Sequence, residues 1–229
     1  MFFSTETQVS RRYPPGKLPE QRPGQVGGTR ARNRQLRTAA LCNAALPLFL
    51  SRGVEATTVD AITQGAGVAK GSFYRYFDDK EQLVETLLAP FAEALDAAMK
   101  TCAEAIASAE GPSALTEAYE SLARDLASAF SVEPEVVRLY LQEHRGPDEG
   151  ARRPVRALAQ RVRSGALTLT EAAHARALLR PLAPPVTALA VVGAVESILA
   201  AALEGDLTMD PSDVIQSLVA MMLGGVAAR

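Results

Sequence analysis

The sequence predicts an all-α protein, and three features carry that expectation. Alanine and leucine dominate and tryptophan is absent. No long alternation of β-branched and polar residues marks a strand. Apolar residues instead recur every three or four positions, in stretches long enough for helices and separated by glycine and proline.

The first such stretch carries Leu36, Ala40, Ala44 and Leu48, with Leu41, Ala45 and Phe49 beside them, and ends near Gly53. Pro47 lies inside it, where it removes a backbone donor and crowds the preceding turn, so a kink is expected between Asn43 and Pro47. Thr58 is a good N-cap for a second, short helix whose buried stripe is Val59, Ile62 and Ala66. Gly65-Ala66-Gly67 ends it. A third helix is expected from Ala69 to Phe77, with Phe73 and Phe77 on its core face, because residues four apart share a side. Lys70, Tyr74 and Arg75 fall on the other side, and Gly71 leaves room for close backbone approach. Asp79-Lys80-Glu81-Gln82 then reads as a capping box opening a long fourth helix.

Two short helices around a tight turn, the second with an exposed polar face, point to a helix-turn-helix that lays one helix in the major groove of DNA. Charge agrees. Residues 1–80 hold twelve Lys and Arg against six Asp and Glu, a net +6, and the remainder holds twelve against twenty, a net −8. A basic first third on an acidic body suits a protein that meets phosphates at one end.

On these residues the chain resembles the TetR family of transcriptional repressors. The stretches that carry the resemblance are LCNAALPLFLSRG, ATTVDAI, GAGVAKGSFYRYF and DKEQL. The resemblance implies backbone contacts to DNA from Thr58, Tyr74 and Lys80. It implies base contacts from Lys70, Gly71, Ser72 and Arg75, with Tyr76 in the same segment. Ala69 departs from the family pattern, since many relatives carry a capping serine or threonine there.

Three regions follow: a basic Pro/Gly-rich tail over residues 1–30, expected to be disordered, a helix-turn-helix domain over 31–91, and a helical effector-binding and dimerisation domain over 92–229. Pro14, Pro15, Gly16, Pro19, Pro23, Gly24, Gly27 and Gly28 leave the tail without a periodic apolar face. Arg30, Arg32, Arg34 and Arg37 at its end are either a basic arm tracking phosphates or a solvated helix start. No signal-peptide run and no membrane span are evident, so a cytoplasmic protein is expected.

Beyond Leu83 the periodicity predicts helices to about Ala109, from Ser113 to Phe130 and from Pro134 to Glu143. A basic helix from Arg153 to Ser164 and a separate segment from Glu171 to Leu179 come next. The last two helices run from about Pro185 to Glu204 and from Pro211 to Leu223. Both are so apolar that a monomer would expose a large patch. The family resemblance implies that this pair packs against its copy in a second subunit, and Val191, Val195, Ile198, Leu199, Leu218 and Met222 are the expected interface. Plain core packing is the alternative. The resemblance also implies a small-molecule effector inside the body, for which Phe91, Tyr119, Phe130, Tyr140 and His144 are the candidates beside ordinary core roles. A regulator without an effector shares all these motifs.

No catalytic chemistry is expected. His144 and His174 sit in no metal-ligand spacing, and no phosphate-cradling or zinc motif occurs, so neither metal nor cofactor is called for. Cys42 and Cys102 lie within expected helices and are expected to stay reduced. An enzyme with an appended DNA-binding domain would need clustered titratable groups.

Overall fold

The computed structural model describes residues 29–226, so the tail and its Arg30 side chain lie outside or at the edge of the described residues. Nine α-helices follow one another among the described residues, and no β-strand occurs there. They are α1 Thr29–Arg52, α2 Val59–Gly65, α3 Lys70–Phe73, α4 Lys80–Ser108, α5 Pro112–Val132, α6 Pro134–Glu143, α7 Arg153–Ala175, α8 Pro184–Glu204 and α9 Pro211–Val226. A single 3-10 turn, Gly150–Arg152, leads into α7.

The helix starts follow their caps. The Thr58 hydroxyl accepts the Ala61 amide at 3.2 Å, and the Asp79 carboxylate accepts the Gln82 amide at 2.8 Å. Gln82 reaches back to the Asp78 amide at 2.7 Å, so the orphan donors on both sides of the cap are satisfied. Ala69 makes no side-chain cap.

Helix α1 continues through Pro47. Three expectations change. Helix α3 is one turn long, not the longer helix expected. It ends at Phe73, after which amides of Tyr76 and Phe77 both bond to the Phe73 carbonyl. Phe73 and Phe77 are nonetheless both buried, their rings 5.5 Å apart. Helix α7 runs unbroken through Gly165, where two segments were expected. That glycine is a crossing point: a Cβ there would sit 2.3 Å from Met99 Sδ, so its missing side chain lets α7 lie tightly on α4. The third change is α8, which is long and apolar enough to cross a membrane; its most apolar 18 residues have a mean hydropathy of 2.1, and only 11% of them are buried.

Two apolar clusters hold the molecule. The larger joins Leu41, Phe49, Ile62 and Phe73 of α1–α3 to Leu83 and Leu87 of α4, Leu139 of α6 and Leu158 of α7. The α1–α3 head and the upper body therefore share one core. The smaller cluster, around Ile106, Leu115, Leu169 and Val219, closes the far end of the body.

Candidate functional site

The head presents one polar surface. Tyr74 is exposed, and packs edge-on against the buried Phe73 ring at 5.4 Å, so its phenol is held outward on a core-anchored base. Lys70, Gly71 and Arg75 are exposed, and Ser72 and Tyr76 are half-buried. Nothing lies within 4 Å of the place a Gly71 Cβ would occupy, so the first turn of α3 is open to an approaching surface. Lys70 Nζ lies 2.8 Å from Asp60 on α2, and both side chains face solvent. The Asp60 hydrogen bond and charge raise the Lys70 pKa, so the ammonium stays charged. Arg34 of α1 donates to the Arg75 carbonyl at 3.3 Å and ties the start of α1 to the same surface.

Lys80 differs from expectation. Its ammonium donates to the carbonyls of Val54 at 2.7 Å, Thr57 at 2.9 Å and Glu55 at 3.0 Å. Three donors meet three acceptors, which leaves none for a phosphate. Partial burial lowers its pKa, with the Glu55 charge opposing. The lysine thus shapes the turn that sets Thr58 in place; it does not face outward beside Tyr74.

The body holds a second feature. Between α4, α5, α6, α7, α8 and α9 lies a cavity of about 140 Å³. It adjoins another of about 160 Å³ between α5, α8 and α9. Leu126, Phe130, Val195, Leu199 and Leu218 wall both, so the two form one trough. Four of the five expected effector residues line it: Phe91, Tyr119, Phe130 and Tyr140. Phe91 packs against Phe130 at 5.6 Å and Tyr140 at 6.2 Å. His144 stands behind the wall, stacked on Tyr140 at 5.0 Å.

The residue missed from the sequence is Glu196, the one charged group among those lining the trough. It accepts from the Tyr140 hydroxyl at 2.8 Å and lies 3.2 Å from His144 Nε2 and 3.5 Å from an Arg145 amino nitrogen. Burial pushes its pKa up, but hydrogen bonds from His144 and Tyr140 outweigh burial and hold it below the ordinary carboxylate range. Burial and the Glu196 charge raise the Tyr140 phenol, which stays protonated as the donor. A lone acid in the apolar run VVGAVESILAAAL was the available signal.

The residues expected at a dimer interface lie along the trough. Val191, Val195, Leu199, Leu218 and Met222 line the first cavity, and Ile198 lines the second. The outward faces of α8 and α9 carry Val186, Leu189, Ala190 and Met221 instead, all exposed. Burial pushes the Cys42 thiol up to about 12 and the Cys102 thiol to about 11, so neither is a reactive thiolate at neutral pH.

Comparison with known proteins matches this geometry. Residues 41–87 fit the model of the bacterial regulatory proteins of the tetR family. The transcriptional repressor KstR2 of Rhodococcus jostii (strain RHA1) is 42% identical over 59 residues, which make up 26% of this chain and 29% of that protein. The matched stretch thus spans under a third of that relative. Solved structures extend the likeness to the whole fold. The ketosteroid transcriptional regulator KstR2 of Mycobacterium tuberculosis superposes with a TM-score of 0.61 at 22% identity, covering 90% of this chain and 98% of that one. FadR of Bacillus subtilis, solved in complex with stearoyl-CoA, gives 0.60 at 17% identity, covering 81% and 97%. With its capped α2, one-turn α3 and outward Tyr74 inside it, the matched segment, residues 41–87, is similar to the tetR family of bacterial regulatory proteins.

Proposed function

We propose that this chain is a DNA-binding transcriptional regulator, most simply a repressor, that grips a roughly palindromic operator as a symmetric dimer and is released by a small apolar molecule. The observation that carries the reading is the outward surface of Tyr74, Lys70, Gly71 and Arg75, mounted on a head whose core is continuous with the body. Helix α3 and its following turn enter the major groove. Lys70 exchanges Asp60 for a base edge, and Thr58 and Tyr74 bond to phosphates. The protein acts in the cytoplasm, as regulator rather than enzyme.

The dimer reading rests on the exposed apolar faces of α8 and α9. Glu196 and its partners Tyr140 and His144 tie one side of α8 to the protein, so the opposite side needs a cover of its own. A second copy supplies it, and a twofold pair presents two recognition helices to paired half-sites. The effector reading rests on the apolar trough, which favours it over a regulator without a ligand. A cavity of about 150 Å³ with similar walls accommodates a benzene-sized molecule.

Selection of fragments from a random DNA pool by the purified chain tests the function. Enrichment of an inverted repeat is expected. Retention of DNA without any sequence in common would refute the regulator.

A further inference from the structure

The trough takes one kind of molecule better than others, and this inference rests on the effector reading above. Its walls follow α5 from Tyr119 to Phe130, a span of about 16 Å at the rise of a helix. Phe130 packs on Phe91, and Phe91 on Tyr140, so Glu196 lies at the Phe130 end of the first cavity, where the second adjoins. Nearly everything between is aliphatic or aromatic. The Tyr119 hydroxyl has no hydrogen-bond partner among the described residues. A ligand must therefore be long and apolar and must meet a carboxylate at one end.

The carboxylate is poised for a donor. Among the described residues Glu196 Oε1 accepts from Tyr140 alone, and a carboxylate oxygen has room for a second hydrogen bond. Oε2 faces His144 and Arg145. The Arg145 side chain is three-quarters exposed and reaches in from solvent, so the charged surface inside the trough is the acid. An anionic head placed there would meet a like charge in a medium poor in water, whereas an ammonium or hydroxyl would complete the shell of Oε1.

We infer that the trough binds an elongated apolar molecule whose polar end is a hydrogen-bond donor, neutral or cationic, seated on Glu196, and that this carboxylate rejects fatty-acid-like anions.

Calorimetric titration of the full chain with decylammonium, 1-decanol and decanoate at neutral pH tests it. Both donors are expected to bind at least about tenfold more tightly than decanoate, the scale of one charge-assisted hydrogen bond. Glu196→Gln keeps the shape and the Tyr140 bond but removes the charge, so the gap between decylammonium and decanoate is expected to close. Non-specific attraction of a cation to the acidic body would leave that gap unchanged, and would overturn the assignment. So would decanoate binding the native chain as tightly as the donors. Binding of none of the three would overturn both this inference and the effector reading, while the selected operator tests the regulator independently. If Glu196→Gln does not fold, the ranking in the native chain decides alone.

Discussion

Glu143 accepts the backbone amide of Val54 at 3.0 Å, linking the C-terminal end of α6 to the turn between α1 and α2 across 89 residues of chain. Its other oxygen takes Arg152 Nε at 2.7 Å. Both partners are needed, because the carboxylate is buried and would otherwise be an uncompensated charge. Gly53 makes room: a Cβ there would sit 3.2 Å from the same oxygen, and its φ of 84° is one that glycine adopts freely. The next residue, His144, faces Glu196 in the trough. One short helix thus holds the turn before Thr58 at one residue and the trough carboxylate at its neighbours.

Removing that latch is the first test. Glu143→Ala leaves the Val54 amide and the Arg152 guanidinium unpaired, a loss of about 1–3 kcal/mol in stability. Glu143→Gln retains an acceptor for Val54 and is expected to lose less. Denaturant unfolding measures both. If α6 carries the ligand signal to the head, Glu143→Gln also binds operator and ligand while responding less to the ligand. Full release in that variant would place the coupling in α4, through Leu83, Leu87 and Phe91.

DNA binding separates Lys80 from the outward residues. Tyr74→Phe is expected to weaken binding to all sequences alike, since phosphate contacts position without specifying. Lys70→Ala and Arg75→Ala are expected to change which base is preferred, at a cost of about 1–3 kcal/mol. Lys80→Ala frees three carbonyls at the turn, so its effect is a lower Tm and a uniformly weaker complex. The salt dependence of that complex stays the same, because the ammonium meets backbone oxygens. A salt slope smaller by about one in Lys80→Ala would restore it as a phosphate contact.

Much of the head was legible because its signals are local. Thr58 and Asp79 cap helices within three residues of themselves, and Phe73 and Phe77 are both buried, 5.5 Å apart, although α3 ends at Phe73. The carbonyls that Lys80 meets were not legible, because they lie more than twenty residues upstream. Gly165 reads as a breaker in sequence, and only the crossing of α4 turns it into a contact. Helix α8 is apolar on nearly every side, so periodicity could not tell the face lining the trough from the face turned outward. Glu196 was missed because a lone acid in an apolar run takes its meaning from Tyr140 and His144, more than fifty residues away.

Assembly depends on that choice of face. Leu189→Glu combined with Met221→Glu puts charge on the outward stripe and is expected to yield monomers in sedimentation. Val195→Glu puts charge in the trough instead, so the dimer persists while ligand binding falls. Dimers in the first variant and monomers in the second would show that the trough-lining residues form the interface after all.

Stability against acid follows from Glu196. Its folded pKa lies below the ordinary value of 4.5, so the folded state favours the ionised carboxylate. The stability gained this way is fully present above the unfolded pKa and is lost as pH falls through the folded one. The groups facing it are the Tyr140 hydroxyl, His144 and Arg145. Burial and the Glu196 charge raise the Tyr140 phenol, which keeps its proton throughout the acid range, so the pair changes when the carboxylate takes up a proton. Native protein is therefore expected to be more stable than Glu196→Gln at pH 7. As pH falls through the lowered folded pKa the two unfolding curves converge, since the protonated acid resembles the amide. Because the site is only partly buried, the difference at pH 7 is modest, on the order of 1 kcal/mol. Denaturant titrations of both proteins at a series of pH values give the comparison. A difference that persists unchanged into acid would mean that the glutamine perturbs packing, and that the carboxylate's charge contributes nothing to holding α8 on α6.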